Sequence, residues 1–404
     1  MYRSISIILV GNVFSAIALM VRNLMVARLI SVEDYGIAST FLLAVALVEM
    51  LSALGLQQQL IQSKRGDEPE FQAALQFLNL LKAIVSAAAL FLLARPLAEY
   101  FGAPQATWTY QLIALVPLLF GFKHFDTDRL SRQMSFVPMA LMNAVPPLCS
   151  LILVWPFYLM FGDYRILLYA ILVQAILTVI ISHLVAKRTF RMRADWSVLR
   201  CSLSFGWPLL LNSGLMFAVL YGERIIVGGQ LGLEPLALFA MGFSLALAPA
   251  ILMANSASSF FLPQLSATSD PQDFSTQAMA VIQAHILMGC FLLVALAIIG
   301  GPFIHAVLSE KYAPIVPLLT WLGVAQAVRV WKTGGSVVAM ARAHTENAIA
   351  TNITRVSFLP LAWYVLEQGG SLVQVIWIGL AGEMIGFVLG LATKPIIFHL
   401  AGMS

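Results

Sequence analysis

The chain has 404 residues, of which 60% are hydrophobic and only 10% charged, and its mean hydropathy is +0.89. A soluble domain carries roughly a quarter charged residues, so a water-soluble enzyme or binding module is excluded and an all-α integral membrane protein is indicated. The formal net charge of +4 reflects where basic residues sit relative to a membrane and does not point to nucleic acid.

Apolar stretches long enough to cross a bilayer recur from end to end. Arg3 followed by an apolar run imitates a signal peptide, but no polar mature domain follows it, and we read it as an uncleaved first span. Twelve spans are expected, at 4–29, 36–56, 73–94, 106–122, 136–160 and 165–186, then at 204–230, 236–260, 277–300, 313–340, 345–366 and 371–393. Pro146, Pro147 and Pro156 in the fifth and Pro249 in the eighth are candidate kinks. Cys149, Cys201 and Cys290 are isolated, and small apolar filling is the reading for each.

Basic residues set the orientation. With the N-terminus in the cytoplasm, the loops on that side hold thirteen Lys and Arg, from Arg3 to Lys394, and the opposite loops hold four: Arg28, Arg95, Arg165 and Lys311. This bias places both termini in the cytoplasm. The richest basic run, Lys187 to Arg200, joins the sixth and seventh spans and is expected to rest on anionic headgroups, with partner docking as the competing reading.

The chain also repeats. Leu24 to Glu33 (LMVARLISVE) falls over Ile225 to Glu234 (IIVGGQLGLE), an offset of 201 residues. Residues 1–190 then form an N-terminal six-helix lobe, 191–203 a basic cytoplasmic linker, and 204–404 a C-terminal six-helix lobe. Six spans per half is an even number, so the repeats are parallel and the natural cavity lies between them.

Charges inside spans are the candidate functional residues, because each costs about 2.5–3.5 kcal/mol near the bilayer centre unless it faces a partner or a cavity. Arg22 and Arg224 occupy nearly corresponding places in the two repeats and would form an anion site if they faced one another; the competing reading has both snorkelling to the outer interface. Arg355 and Glu383 lie at equal depth on successive helices, as do Lys82 and Glu49, so each pair is either a structural ion pair or a site for substrate or coupling ion. Asn347, Thr351, Asn352 and Arg355 recur at helical spacing as one polar stripe. Arg329 and Lys332 sit near the inner end of the tenth span, where snorkelling is expected, and Gln57, Gln58 and Gln59 mark a helix end that could gate an inner mouth. No GxxxxGK[ST] loop, HExxH motif or paired metal-ligand spacing occurs, so neither ATP hydrolysis nor a metal or other cofactor is expected, and no loop is large enough to house an enzyme site.

The run ARLISVEDYGIASTFLLAVALVEMLSALGLQQQLIQ at 27–62 resembles the signature of Wzx-type oligosaccharide flippases of the multidrug/oligosaccharidyl-lipid/polysaccharide (MOP) exporter superfamily. SFGWPLLLNSGLMFAVLYGERIIVGGQLG at 204–232 is similar to the opening of that family's second half. The resemblance implies a MATE-like pair of six-helix lobes in the inner membrane, carrying an undecaprenyl-diphosphate-linked oligosaccharide to the outer leaflet by alternating access. It implies cavity cations, with Arg22 and Arg224 at the matching basic positions and Arg355 and Lys82 beside them, and membrane lipids, a polysaccharide polymerase and glycosyltransferases as partners. Drug/cation antiporters of the superfamily usually carry an acid in the first helix, and this chain has none there. An ion-coupled antiporter acting through Glu49 or Glu383, and a non-transporting scaffold of a glycan assembly complex, remain the other readings.

Overall fold

The computed structural model describes residues 2–342 and 347–392, and among them there is no β-strand. Two compact units, Met1–Phe217 and Ala218–Ser404, divide the chain inside one continuous helix. The first unit contains α1 (Tyr2–Leu29), α2 (Val32–Leu51), α3 (Leu56–Gln62), α4 (Pro69–Tyr100), α5 (Thr107–Ile113), α6 (Leu115–Gly121), α7 (Asp126–Arg132), α8 (Val137–Ile152), α9 (Val154–Phe161) and α10 (Arg165–Leu184), and the first part of α11 (Trp196–Gln230). The second contains the rest of α11, then α12 (Leu233–Ala267), α13 (Pro271–Val307), α14 (Val316–Ala341), α15 (Asn347–Val356), α16 (Leu359–Glu367) and α17 (Leu372–Ala392).

Among the described residues, ten helical stretches are long and apolar enough to cross a membrane. The two other expected spans, 106–122 and 345–366, are broken into α5/α6 and α15/α16. Proline explains both breaks, since it lacks an N–H and its ring collides with the carbonyl four residues back. For Pro117 and Pro360 that carbonyl belongs to Ile113 and Val356, the last residues of α5 and α15. Pro156 acts likewise on Ile152 and ends α8, as expected, whereas Pro146, Pro147 and Pro249 lie inside helices that continue through them.

The repeated stretch is a helix end, an elbow and a helix start in each unit. In the first, Ser31 Oγ accepts the Asp34 N–H at 3.0 Å and caps α2, with Glu33 and Asp34 in its first turn. In the second, α11 ends at Gln230 and Gly232 turns the chain with φ +92°, a conformation that favours glycine. Large apolar side chains such as Leu92, Leu184 and Leu287, 70–77% exposed, face outward as lipid requires. Inside, Leu60, Leu75 and Phe125 centre a core in the first unit, and Val281, Val337 and Val338 centre one in the second.

The basic run after α10 is built into the first unit rather than lying loose. The buried Asp126 carboxylate accepts the Lys187 N–H at 2.7 Å and the Arg129 Nε–H at 2.6 Å. Arg188 donates to Gln72 Oε1 and the Asp67 carbonyl, Gln76 donates to the Arg191 carbonyl, and the Arg193 N–H reaches the Ala73 carbonyl. Asp195 then caps α11, whose helix takes in residues 196–203 of the expected linker. His124 accepts the Asp126 N–H at Nδ1, so its Nε2 carries the proton and donates to the Arg188 carbonyl at 3.0 Å. Burial pushes the Asp126 carboxyl up, but the Arg129 guanidinium and the Lys187 N–H outweigh it and hold the group below its ordinary value of 3.8. A carboxyl lowered on folding stabilises the protein fully above its ordinary range and loses that contribution as pH falls through the lower, folded value. Thermal unfolding in detergent is expected to show this loss on acidification below about pH 4, and Asp126→Asn to lower stability at neutral pH by roughly 3 kcal/mol by stranding Arg129.

Candidate functional site

The second unit gathers six charged side chains from four helices. Glu383 on α17 is 1% exposed and accepts from three bases. Arg329 on α14 donates to its Oε1 from Nε at 3.0 Å and Nη2 at 2.8 Å, Lys332 Nζ lies 3.1 Å from Oε2, and Arg355 on α15 closes on Oε1 through Nη1. The expected Arg355–Glu383 pair is therefore one arm of a larger cluster. Arg329 and Lys332 do not snorkel: one helical turn separates them on α14, and both turn inward to the same carboxylate.

Glu223 on α11 is the second carboxylate, 3.7 Å from Arg355 Nη2. Gly379 on α17 makes room for it, since a Cβ there would collide with Glu223 Oε1. Arg224 follows on α11, with its guanidinium 4.7 Å from the Phe243 ring centre, 5.3 Å from that of Tyr221, and 3.5 Å from Ser244 Oγ. Arg329 approaches the same Phe243 ring at 5.8 Å, so this aromatic face helps hold two cations. Four bases against two acids leave two positive charges in excess. Arg355 Nε and Gln326 Nε2 are in addition buried donors with no hydrogen-bond partner among the described residues. Arg355 lies in the last turn of a half-helix, α15, so the cluster sits at a break in a membrane helix, a place where transporters build ion and substrate sites. Of the expected polar stripe, Asn347 and Thr351 lie outside the residues whose side chains are described.

The first unit treats its charges differently. Arg22 is 3% exposed, donates to Ser150 Oγ on α8 at 2.9 Å and Gln174 Oε1 on α10 at 2.6 Å, and lies 3.4 Å from Asn23 Oδ1. It belongs to the helix interior of its unit and not to a lipid interface. Glu49 and Lys82 line one cavity of about 460 Å³, together with Lys123, Gln57 and Gln58. Among the described residues neither closes into an ion pair, though the two charges are near enough to attract one another across the cavity. Gln59 is withdrawn from that space, accepting the Ser202 hydroxyl at 2.6 Å and tying α3 to α11.

Sequence reasoning placed Arg355 and Glu383 correctly by depth but missed Gly379, Phe243 and the inward turn of Arg329 and Lys332. The recurrence of Arg329 and Lys332 at i, i+3 on an otherwise apolar helix was the available signal.

A family model described as "Polysaccharide biosynthesis protein" matches residues 25–317. The chain is 24% identical over 397 residues to the "Succinoglycan biosynthesis transport protein ExoT" of Rhizobium meliloti (strain 1021), covering 92% of this chain and 78% of that protein. It is 20% identical over 378 residues to an "Uncharacterized membrane protein in cps region" of Klebsiella pneumoniae, covering 92% and 76%. Its fold is that of MOP-superfamily transporters. An inward-facing multidrug resistance MATE family transporter superposes with a TM-score of 0.77 at 13% identity, covering 96% of both chains, and the lipid II flippase MurJ in an inward closed conformation with 0.75 at 16%, covering 97% and 88%.

Removing the acid at the centre of the cluster strands three bases. Glu383→Ala is expected to cost roughly 3–5 kcal/mol and Gly379→Ala, by displacing Glu223, about 1–3 kcal/mol, both read from thermal unfolding of the purified protein in detergent.

Proposed function

From the membership of this chain in the polysaccharide biosynthesis protein family, we propose that it moves an undecaprenyl-diphosphate-linked oligosaccharide from the inner to the outer leaflet of the cytoplasmic membrane. The observation that carries this reading is the surplus of two positive charges in the cluster around Glu383, where one buried and three partly buried bases on apolar helices face two buried acids. A diphosphate crossing hydrocarbon unaccompanied would meet a prohibitive desolvation cost. Arg355 and Arg224 offer it charge, and arginine's planar fork suits phosphate oxygens because it donates two parallel hydrogen bonds. The unpartnered donors Arg355 Nε and Gln326 Nε2 match the same acceptor-rich ligand. Glu383 in this mechanism holds the three bases together and is committed to them, which leaves it no ion-coupling role. Arg22, fully engaged by neutral acceptors, fixes α1 against α8 and α10. The basic excess of the loops supports a cytoplasmic location for both termini.

In a strain lacking the gene, lipid-linked sugar is expected to accumulate on the cytoplasmic leaflet, measured by its protection from an externally added glycosidase. The wild-type gene should relieve it, and Arg355→Gln with Arg224→Gln should reduce export by roughly tenfold or more, the effect of losing about 1.4 kcal/mol of substrate stabilisation. Normal export from the deletion strain would exclude the flippase reading, and normal export with both arginines replaced would favour the scaffold reading.

A further inference from the structure

A 32-residue apolar helix, α4, carries two bases, Arg95 near its end, exposed and paired with Glu99, and Lys82, which opens onto the 460 Å³ cavity of the first unit. The volume falls in the range of small-ligand sites, about 300–1,000 Å³. Lys123, from the segment after α6, lines the same cavity, and Glu49 adds one carboxylate, so the walls hold one positive charge in excess. No ion pair of the described residues includes either lysine.

The two lysines come from elements locked to each other. One turn before Lys82, the Asn79 amide donates to the carbonyls of Phe120 and Gly121 at 2.9 and 3.2 Å. Gly121, having no side chain, lies directly on Ala83. The end of α6, and Lys123 two residues beyond it, is thereby fixed against the turn of α4 that bears Lys82. Asp128, in α7, is the nearby acid that could cancel Lys123, but it is 2% exposed, its Oδ2 has no hydrogen-bond partner, and burial pushes its carboxyl up against the pull of Lys123.

We propose that this cavity binds the glycosyl-phosphate end of an anionic sugar phosphate ester, with Lys82 and Lys123 as its phosphate ligands and Glu49 accepting sugar hydroxyls. Its assignment to the transported lipid-linked glycan rests on the flippase reading. Lysine serves phosphate as a mobile point charge, and the hydroxyls of Ser86 and Thr178 on the walls suit a sugar better than an apolar cation, which the net charge repels.

Isothermal titration of the full chain in phosphatidylcholine nanodiscs, with inorganic pyrophosphate, glucose 1-phosphate and glucose as probes, tests the site. Both phosphates should bind and glucose should not. Lys82→Gln and Lys123→Gln should each weaken phosphate binding roughly tenfold and their combination abolish it, while Lys82→Arg with Lys123→Arg and the exposed control Lys64→Gln retain it. No binding by the wild type, or wild-type binding by the folded double Gln variant, overturns the proposal. A lipid headgroup offers the same phosphate chemistry, so phosphatidylglycerol nanodiscs that eliminate pyrophosphate binding would also overturn it. Normal glycan export from the deletion strain would remove the flippase reading yet leave lysine-dependent phosphate binding intact, so the two failures are distinguishable.

Discussion

Lipid supplies no hydrogen bonds, and every charge and every broken backbone carbonyl in these helices has to be answered from within the protein. The carboxylate of Glu383 is where this constraint is tightest, since three bases depend on it. Buried ion pairs add little net stability, because desolvation offsets most of the attraction. Such a cluster is retained at a stability no better than apolar packing would give, and its value lies in the residual positive charge it keeps available inside the membrane.

Prolines couple the backbone to this arrangement. Pro360 ends α15 one residue after Arg355, so that the guanidinium sits at the end of a half-helix whose terminal carbonyls favour a cation. Phe358, in the break, packs its ring against Gly382, next to Glu383. The break, the close helix approach and the acid are thus one local construction. Pro117 gives the first unit a comparable break between α5 and α6, beside the cavity that holds Lys82.

How much of this was legible in the sequence depends on the kind of information. Hydropathy marked the spans, and each proline break falls at the carbonyl four residues earlier, which simple sterics dictates. Depth along a helix was also legible, which is why Arg355 and Glu383 matched. Rotation about the helix axis was legible only in part: the i, i+3 spacing puts Arg329 and Lys332 on one face of α14, but that this face turns inward follows from how α14 packs against α17. For the same reason Glu49 and Lys82 agree in depth yet share a cavity without touching. The basic run after α10 reads as a headgroup ligand by composition, but its main-chain bonds to Asp126, Ala73 and Gln76 depend on partners up to 120 residues away in the chain.

Arginine and lysine divide the work of the first unit by chemistry. Arg22 spreads one charge over several donors, and three neutral oxygens from α1, α8 and α10 are enough to satisfy it without a carboxylate. A lysine ammonium concentrates its charge at one strongly hydrated point and cannot be settled so easily by amides and hydroxyls in a dry interior. Lys82 opens onto the cavity, and Asn79 and Gly121 fix the end of α6 against the turn of α4 that bears it. The buried arginine therefore belongs to the framework, while the lysine belongs to the space the framework encloses.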